Sequence, residues 1–499
     1  MKRLIVSLLA ISMLFALYAC NKSSDSGGVV EITVAFESAP NGLDPLSEDS
    51  VECKSIGYMI YDRLAWVDTT NTPQPAVAKS WEQTGARSYN FEINMDYTFS
   101  NGDKITMDDI VFSINRMKEV PKSASTGALV ESVSYNGNTL TINLNTENRA
   151  AFTRVVAMAV IFNKKYVEEN GEDALFRNPV GTGPYKVTEF TPGAGVTIEV
   201  RDDYPFTKPQ ITKINYVGIS EVSSRYIALE TGQIQYAWGL NAPEYNLALD
   251  NDKLDTYFAG GNRAMPIYFN CERPPLDDVN VRRGLVHALD IDSYCALQGG
   301  RPKATGMLFA SYPDFYTESA NLPEFNMDRA RELLEAAGIS PANPVTFELI
   351  CFMGDPGLEM YQSALRTLGV ELQINIQEIS VYIANDAQGN FDMCWTVQVN
   401  RDYHMLNDLD RFDVNTIGSR NLCRYYNPRV QELIPLMQVE ADAARLREMA
   451  VEVNDILSQE VPGVFILLLP IYSAMAKGLS GVEIESTNQT YFRSATYNP

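Results

Sequence analysis

Histidine and cysteine, the side chains that most often hold metal ions or act as nucleophiles, are few and widely spaced in this chain. The histidines are His287 and His404, and no two cysteines form a C-x-x-C pair. Zinc sites and metalloproteases need clustered ligands of the H-E-x-x-H kind, and α/β-hydrolases use a G-x-S-x-G elbow. The sequence has neither pattern, so it predicts no metal site, no cofactor and no catalytic residue. A two-carboxylate glycosidase needs no such motif, so an exported hydrolase stays open as an alternative.

Acidic side chains cluster at two places, and the first cluster, Asp103, Asp108 and Asp109, does not have the spacing of an EF-hand calcium loop. Thr106 and Asp109 have the spacing of a capping box, and capping at the start of this helix explains two of the three aspartates. The second group is expected to be a solvated acidic loop and consists of Asp402, Asp408, Asp410 and Asp413.

The first twenty residues have the pattern of an export signal. Lys2 and Arg3 precede an apolar run that ends at Ala19, and Cys20 follows at once. This pattern predicts a signal peptide over residues 1–19 and a lipidated Cys20 that begins a flexible linker over 20–28. The four residues that end at Cys20 resemble the lipobox of bacterial lipoproteins. An uncleaved anchor or an ordinary secretory signal stays open as the alternative.

Composition limits what the exported body can be. A chain of 499 residues that is 45% hydrophobic can fill more than one core, so we expect two or three lobes. The 40 basic and 63 acidic residues give a net charge of −23, which opposes binding to nucleic acid or to an anionic membrane surface. Disulfide bonds and buried free thiols are both open for the cysteines other than Cys20, which are Cys53, Cys271, Cys295, Cys351, Cys394 and Cys423.

Strand and helix patterns alternate along the chain, which predicts an α/β fold. Residues 29–36 read as a strand, and a helix is expected to begin at Thr106. The Asn136-Gly137-Asn138 segment predicts a hairpin, because Asn-Gly supplies the positive φ that such turns need. Helices are also expected over 220–231 and 440–459.

Nine blocks of sequence then carry a family resemblance when they are taken in order. The blocks are Gly42 to Pro45, Tyr61 to Leu64, Pro75 to Glu82, Phe99 to Asp103, Asp108 to Ile114, Pro179 to Tyr185, Tyr268 to Asn270, Pro275 to Arg283 and Ala330 to Gly338. Together they resemble the family 5 extracellular solute-binding proteins, which are the peptide-, dipeptide- and nickel-binding components of ABC importers. The resemblance covers essentially the whole chain after the signal.

The resemblance implies a periplasmic-binding-protein-like α/β fold of class II, in its large three-lobe form. Two hinged α/β lobes close over the ligand, and a third lobe is inserted. The implied boundaries are 29–55, 186–264 and 471–499 for a discontinuous lobe I, 56–185 for the inserted lobe II, and 265–470 for lobe III.

The function implied by the resemblance is capture of a small solute, an oligopeptide above all, outside the cytoplasm. The partners implied are that ligand, an ABC permease with its ATPase, and a membrane through the lipid on Cys20. The protein is expected to be a monomer, not an enzyme, and to bind no nucleic acid. A sugar or a metal chelate as the ligand stays open.

One departure from the family concerns the ligand. In peptide-binding relatives, a segment that begins with tryptophan carries an aspartate three residues later, and this aspartate pairs with the α-ammonium group of the peptide. Here that segment begins at Trp395, and Gln398 stands in the aspartate's place. Either Asp402 takes over the role, or the ligand is not a free-amino peptide, because burying an unpaired charge is expensive.

The other ligand contacts follow partly from the resemblance and partly from residue type. Family analogy places Phe36 and Glu37 at the cleft. Trp238 and Trp395 are predicted to stack on the ligand, with core packing as the alternative for each. Arg263 or Arg401 could pair with a carboxylate. The resemblance also makes His404 a candidate ligand for a metal chelate, with simple exposure as the alternative.

Overall fold

The computed structural model describes residues 29–48, 50–68, 72–259, 263–304, 323–399, 405–440, 442–485 and 487–499. The predicted signal peptide and Cys20 lie outside the described residues.

The strands, in chain order, are β1 (Glu31–Phe36), β2 (Ala65–Val67), β3 (Pro73–Pro75), β4 (Ala78–Gly85), β5 (Ser88–Ile93), β6 (Val130–Asn136), β7 (Thr139–Leu144), β8 (Tyr185–Thr191), β9 (Gly195–Val200), β10 (Lys213–Gly218), β11 (Tyr236–Leu240), β12 (Leu254–Ala259), β13 (Arg263–Phe269), β14 (Val345–Cys351), β15 (Val370–Ile376), β16 (Met393–Trp395), β17 (Gln398–Val399), β18 (Gly463–Leu468), β19 (Ile471–Ala476), β20 (Leu479–Ser480), β21 (Glu483–Ile484), β22 (Thr490–Tyr491) and β23 (Thr496–Tyr497).

The α-helices are α1 (Val51–Ile60), α2 (Met107–Glu119), α3 (Ala124–Gly127), α4 (Arg149–Met158), α5 (Lys164–Asn170), α6 (Asp173–Arg177), α7 (Val222–Glu230), α8 (Ala242–Leu249), α9 (Val279–His287), α10 (Ile291–Leu297), α11 (Met327–Ala336), α12 (Pro356–Arg366), α13 (Ile379–Gln388), α14 (Pro428–Val439) and α15 (Ala443–Glu460). Two 3₁₀ helices, Met405–Phe412 and Val414–Thr416, precede α14.

The largest sheet has seven strands in the order β12-β19-β11-β1-β10-β9-β8. Its strands come from three separate stretches of the chain. At its centre β1 runs parallel to β10 on one side and to β11 on the other. The carboxyl ends of these three strands therefore share one edge, where ligands of open α/β sheets usually bind.

A second, six-stranded sheet follows the order β15-β14-β16-β13, and β13 also pairs with β17 and β18. Helices from the same half of the chain, including α9 and α12, share its core: Leu285 and Leu358 are buried with Ile267 and Leu349. The alternation of strands and helices confirms the predicted α/β class.

Two short connections join the two large sheets. One runs from β12 to β13, and the other runs from β18 to β19 through Leu469. The start of β13 lies beside the second connection, because the Leu469 N–H donates to the Arg263 carbonyl at 2.9 Å and Ala264 is opposite Leu468 in the β13–β18 ladder. A short crossing such as the one at Leu469 can serve as a hinge, since few backbone dihedrals have to change when the two sheets move. The residue boundaries of the predicted lobes stay a prediction.

A third sheet, β4-β5-β7-β6, belongs to the segment inserted between β1 and β8. Its core residues, such as Phe91 and Leu140, join the cluster that also contains Ile32 of β1. The predicted capping box is confirmed, because Thr106 Oγ1 accepts from the Asp109 N–H and the Asp109 carboxylate accepts from the Thr106 N–H. The hairpin turn at Gly137, with a φ of 59°, is confirmed as well.

The Gly181-Thr182-Gly183-Pro184 segment is a tight turn into β8 that packs against the end of α1. A Cβ at Gly181 would lie 2.2 Å from the Ile60 carbonyl oxygen, so glycine is required by close approach. The buried Arg201 guanidinium donates to the carbonyls of both glycines at 3.2 Å. This block of the family pattern therefore joins the inserted segment to the seven-stranded sheet.

The six cysteines of the described chain are free thiols, and all except the partly buried Cys271 are buried. Of the two alternatives for these cysteines, disulfide bonds and free thiols, the structure shows free thiols. Among the described helices, none is long and apolar enough to cross a bilayer.

Candidate ligand-binding site

Phe36 and Glu37 lie at the carboxyl edge of the seven-stranded sheet. Phe36 ends β1 and is buried, with its ring centroid 6.1 Å from that of Tyr216 and 5.8 Å from that of Trp238. Glu37 follows it and is exposed. The Phe36 ring therefore supports the edge, whereas Glu37 offers a charge in front of it.

Trp238 lies on β11 one residue after Ala237, which is opposite Ala35 of β1. Its ring is half-buried against Phe36, and its Nε1–H is buried without a hydrogen-bond partner. Buried indole N–H groups usually find an acceptor, so this one is a donor that a ligand could satisfy. Packing and ligand contact are both compatible with this position.

Arg225 of α7 is a residue of this edge that the sequence analysis missed. Its guanidinium donates to the carbonyls of Ile219 and Ser220, which follow β10, and to that of Gly239 in β11 at 2.7 Å. Because β1 lies between β10 and β11, the guanidinium crosses the carboxyl end of β1. Burial lowers the pKa of Arg225, whereas the nearby carboxylates, first that of Glu37, raise it. An arginine on an otherwise apolar helix face was the signal that could have identified it.

Arg263 and Gln398 lie together at the start of β13, beside the connections between the two large sheets. Gln398 is opposite Ala264 and Val399 is opposite Arg263 in the β13–β17 ladder. The side chains of Arg263 and Gln398 are partly exposed. The structure therefore brings these two predicted residues to the boundary between the sheets.

Gln398 is held by a buried ion pair that the sequence analysis did not predict. Its Oε1 accepts from Arg411 Nε at 3.2 Å, and Arg411 Nη1 lies 2.6 Å from Asp408 Oδ1. The side chains of Arg411 and Asp408 are 2% and 1% exposed. The expectation of a solvated acidic loop was wrong for Asp408, because the 3₁₀ helix turns this carboxylate inward onto Arg411.

Trp395 ends β16 as a core residue. The ring is fully buried, its Nε1–H donates to Tyr294 Oη at 3.1 Å, and its ring centroid lies 5.8 Å from that of Phe352. The predicted stacking on a ligand finds no exposed ring face in this structure, because the cluster beneath the six-stranded sheet covers both sides. The packing alternative describes Trp395.

Arg401, Asp402 and His404 lie outside the described residues, so their predicted contacts stay predictions. In the part of the chain that is described, no three His, Cys, Asp or Glu side chains are grouped to hold a metal ion.

A separate cleft of about 420 Å³ lies between the segment after β9 and the end of the chain. It is lined by Tyr204, Lys208 and Arg493, among others, and by none of the predicted ligand contacts. The Arg493 guanidinium donates to Asp62 Oδ1 and to the Tyr61 carbonyl, so its charge is already satisfied. This cleft is not the predicted site.

The two large α/β sheets, with candidate ligand contacts at the boundary between them, define a class of ligand-binding protein, and comparisons with known proteins agree. The family model described as bacterial extracellular solute-binding proteins, family 5 (middle region), matches residues 72–419. The chain belongs to this family.

Particular relatives are similar along nearly the whole chain. The oligopeptide-binding protein OppA of Bacillus subtilis (strain 168) is 25% identical in an alignment that covers 95% of this chain and 94% of OppA. Among solved structures, HbpA2 from Haemophilus parasuis has a TM-score of 0.86 at 21% identity and covers 94% of this chain and 100% of its own. NikA from Brucella suis, solved in complex with Fe(III)-EDTA, has a TM-score of 0.78 at 19% identity with the same coverage. The predicted periplasmic-binding-protein-like fold is confirmed.

Proposed function

We propose that this protein is the extracytoplasmic substrate-binding component of an ABC importer and that it captures peptides between its two large sheets. The observation that carries the proposal is the pair of connections at Arg263 and Leu469, which joins two sheets whose candidate contacts lie near the crossing. Closure about these connections would desolvate a bound ligand and share its contacts between two faces. Binding and release need no covalent step, so the protein is not an enzyme.

The peptide as ligand is supported by family membership and by the relative named an oligopeptide-binding protein. A non-peptide solute is the second candidate, and two observations favour it. Gln398 offers no negative charge to an ammonium group, and a structure of similar fold is in complex with a metal chelate. The proposed lobe boundaries are those that the family resemblance implies. Lobe I comprises residues 29–55, 186–264 and 471–499, lobe II comprises 56–185, and lobe III comprises 265–470.

The remaining partners follow from this role. The closed protein delivers its ligand as a monomer to a membrane permease that a separate ATPase drives. Cys20 would hold it to the outer face of a membrane through a lipid. In a bacterial host, Cys20→Ser should abolish acylation, so the intact mass should lose the lipid and the protein should leave the membrane fraction. An unchanged membrane fraction and mass would contradict lipidation and favour the uncleaved anchor.

Native mass spectrometry of the full-length protein, extracted in mild detergent and then denatured, tests the ligand class. A series of short peptides released on denaturation would support peptide capture. A single non-peptide mass would overturn it in favour of the second candidate. If the protein releases no ligand, the ligand class is tested instead by a thermal shift assay with a panel of peptides, sugars and chelates. A specific ligand raises the midpoint temperature of unfolding by mass action.

A further inference from the structure

We propose that Gln398 presents a hydrogen-bond donor to the bound ligand, so that the ligand group at this point is a carbonyl oxygen, as in an acyl-blocked peptide end, and not a free ammonium group. The inference rests on the proposed peptide-binding function and names the class of peptide.

The orientation of the Gln398 amide follows from its neighbour. A guanidinium group has only donors, so the Gln398 atom that faces Arg411 Nε has to be the carbonyl oxygen Oε1, at 3.2 Å. The amide nitrogen Nε2 therefore points away from Arg411. Within the described residues, this N–H₂ group has no protein acceptor, and the side chain is partly exposed. Gln398 thus has donors left over and its acceptor in use.

The neighbour itself is fixed. Arg411 is bonded to Asp408 at 2.6 Å, and both side chains are almost completely buried. Charge-assisted bonds of this kind are short and strong. A flip of the Gln398 amide would turn N–H₂ toward the guanidinium donors and would leave Arg411 Nε–H without its acceptor. The donor orientation of Gln398 is therefore built in before any ligand arrives.

The position of Gln398 makes this donor relevant to a ligand. The residue lies on β17 opposite Ala264, at the start of β13, and Leu469 of the other connection donates to the neighbouring Arg263 carbonyl. A ligand enclosed between the two large sheets meets this boundary as they close.

An ammonium group at this point would face N–H donors, with the Arg411 guanidinium behind them. It would lose its water and gain no acceptor from Gln398, which is the costly case of a buried unpaired charge. A carbonyl oxygen, in contrast, accepts from Nε2 and carries no net charge. Formyl, acetyl and pyroglutamyl ends share this chemistry.

Two matched peptide libraries test the inference. A mixed-sequence library of di- to pentapeptides without lysine is divided, and one half is N-acetylated. Both halves are offered together to the immobilised full-length protein in detergent, and the captured peptides are counted by mass spectrometry. We expect the wild-type protein to capture acetylated over free-amino peptides by about tenfold, the effect of one hydrogen bond or more.

Gln398→Asp should bring that ratio down to about one or reverse it, because the carboxylate has no donor. The matched control is Gln373→Asp, an exposed position on β15 of the same sheet that adds the same charge and should leave the ratio unchanged. Equal capture of the two halves by wild-type protein, or a preference for free amines, would overturn the inference while peptide binding stands. Capture of neither half would overturn the peptide-binding function itself. The wild-type ratio decides even where Gln398→Asp fails to fold.

Discussion

Each of the two edges that flank the sheet-to-sheet connections contains a buried arginine, and the two arginines have different partners. Arg225, at the edge of the seven-stranded sheet, donates to backbone carbonyls, and no carboxylate lies within ion-pair distance of it in the described structure. Arg411, beside β13, is paired with the buried carboxylate of Asp408. The first arrangement leaves a positive charge near the end of β1, with Glu37 in front of it. The second is neutral and leaves a directed amide donor on Gln398.

One type of residue thus serves two purposes at the boundary between the sheets. Arg225 holds two backbone segments in place through three of their carbonyls. Arg411 sets the orientation of one side chain and has its own charge neutralised. In the proposed site, specificity at the second edge would therefore depend on hydrogen-bond direction, whereas at the first edge it would depend on charge as well.

Removal of the Arg411 charge should have the largest effect on stability. Arg411→Met leaves Asp408 buried without its partner, so the free energy of unfolding should fall by about 3–5 kcal/mol in urea denaturation. Arg225→Met should cost less, about 1–3 kcal/mol, since it leaves only neutral carbonyls unpaired.

The control is an exposed pair of the same i,i+3 spacing. Arg331 and Asp328 lie 3.1 Å apart, with side chains 45% and 92% exposed. Arg331→Met should change stability by less than about 1 kcal/mol, because exposed ion pairs contribute little. If Arg225→Met proved more costly than Arg411→Met, the contrast between the two edges would be wrong.

The next largest effect should be on the pH dependence of the unfolding free energy. It arises from Asp386 on α13, in the part of the chain that contains the six-stranded sheet. Burial raises the pKa of Asp386 to about 7, while a hydrogen bond with Cys394 and the charge of Arg424 lower it by less. The folded protein therefore holds a proton that the unfolded chain releases near pH 4, and this contribution to stability is lost as the pH rises from about 4 to about 7. Asp386→Asn should remove that part of the pH dependence.

Urea denaturation of both proteins across this pH range measures it. The difference in unfolding free energy between the Asn variant and the wild type should grow toward neutral pH and then level off. A constant difference from pH 4 to pH 8 would mean that Asp386 titrates normally.

The smallest effect on stability, with a clear effect on binding, is expected at Trp238. Trp238→Phe keeps an aromatic ring and removes the unpaired Nε1–H. Stability should change by less than about 1 kcal/mol, because lost packing is offset by removal of a buried unsatisfied donor. Ligand affinity, measured by calorimetry with a captured peptide, should fall several-fold if the N–H donates to the ligand. Trp81→Phe on β4, in the inserted segment, is the control and should leave affinity unchanged. Equal affinity for both variants would assign Trp238 to packing alone.

Local signals were enough to predict local structure. The Thr106–Asp109 capping box and the turn at Gly137 depend on residues close in sequence, and the structure has both. The helix expected over 440–459 is observed as Ala443–Glu460, and the helix expected over 220–231 as Val222–Glu230. The differences at the ends arise because the capping side chain or the tertiary contact decides the first and last turn.

The candidate site was only partly predictable. Gln398 was identified from its place in the family pattern. The direction of its amide depends on Arg411, which lies thirteen residues further along the chain, in the 3₁₀ helix Met405–Phe412. Burial of Asp408 could not be inferred from the loop-like sequence around it, and burial of Trp395 was only one of two alternatives, since the partners of both residues come from packing. Arg225 was missed because its carbonyl partners lie in two separate stretches of the chain, one after β10 and one in β11.

The α/β class, the membership in a solute-binding family and the absence of a catalytic motif could all be inferred from the amino-acid sequence, because these depend on periodicity, capping and short blocks of residues. Only the tertiary structure decided which polar groups are satisfied and which stay open. Hydrogen-bond direction at Gln398 and the unpaired N–H of Trp238 depend on atoms that the fold brings together from distant parts of the chain. Whether a buried donor or acceptor has a hydrogen-bond partner depends on the groups that are near it in space, and these cannot be inferred from spacing along the chain.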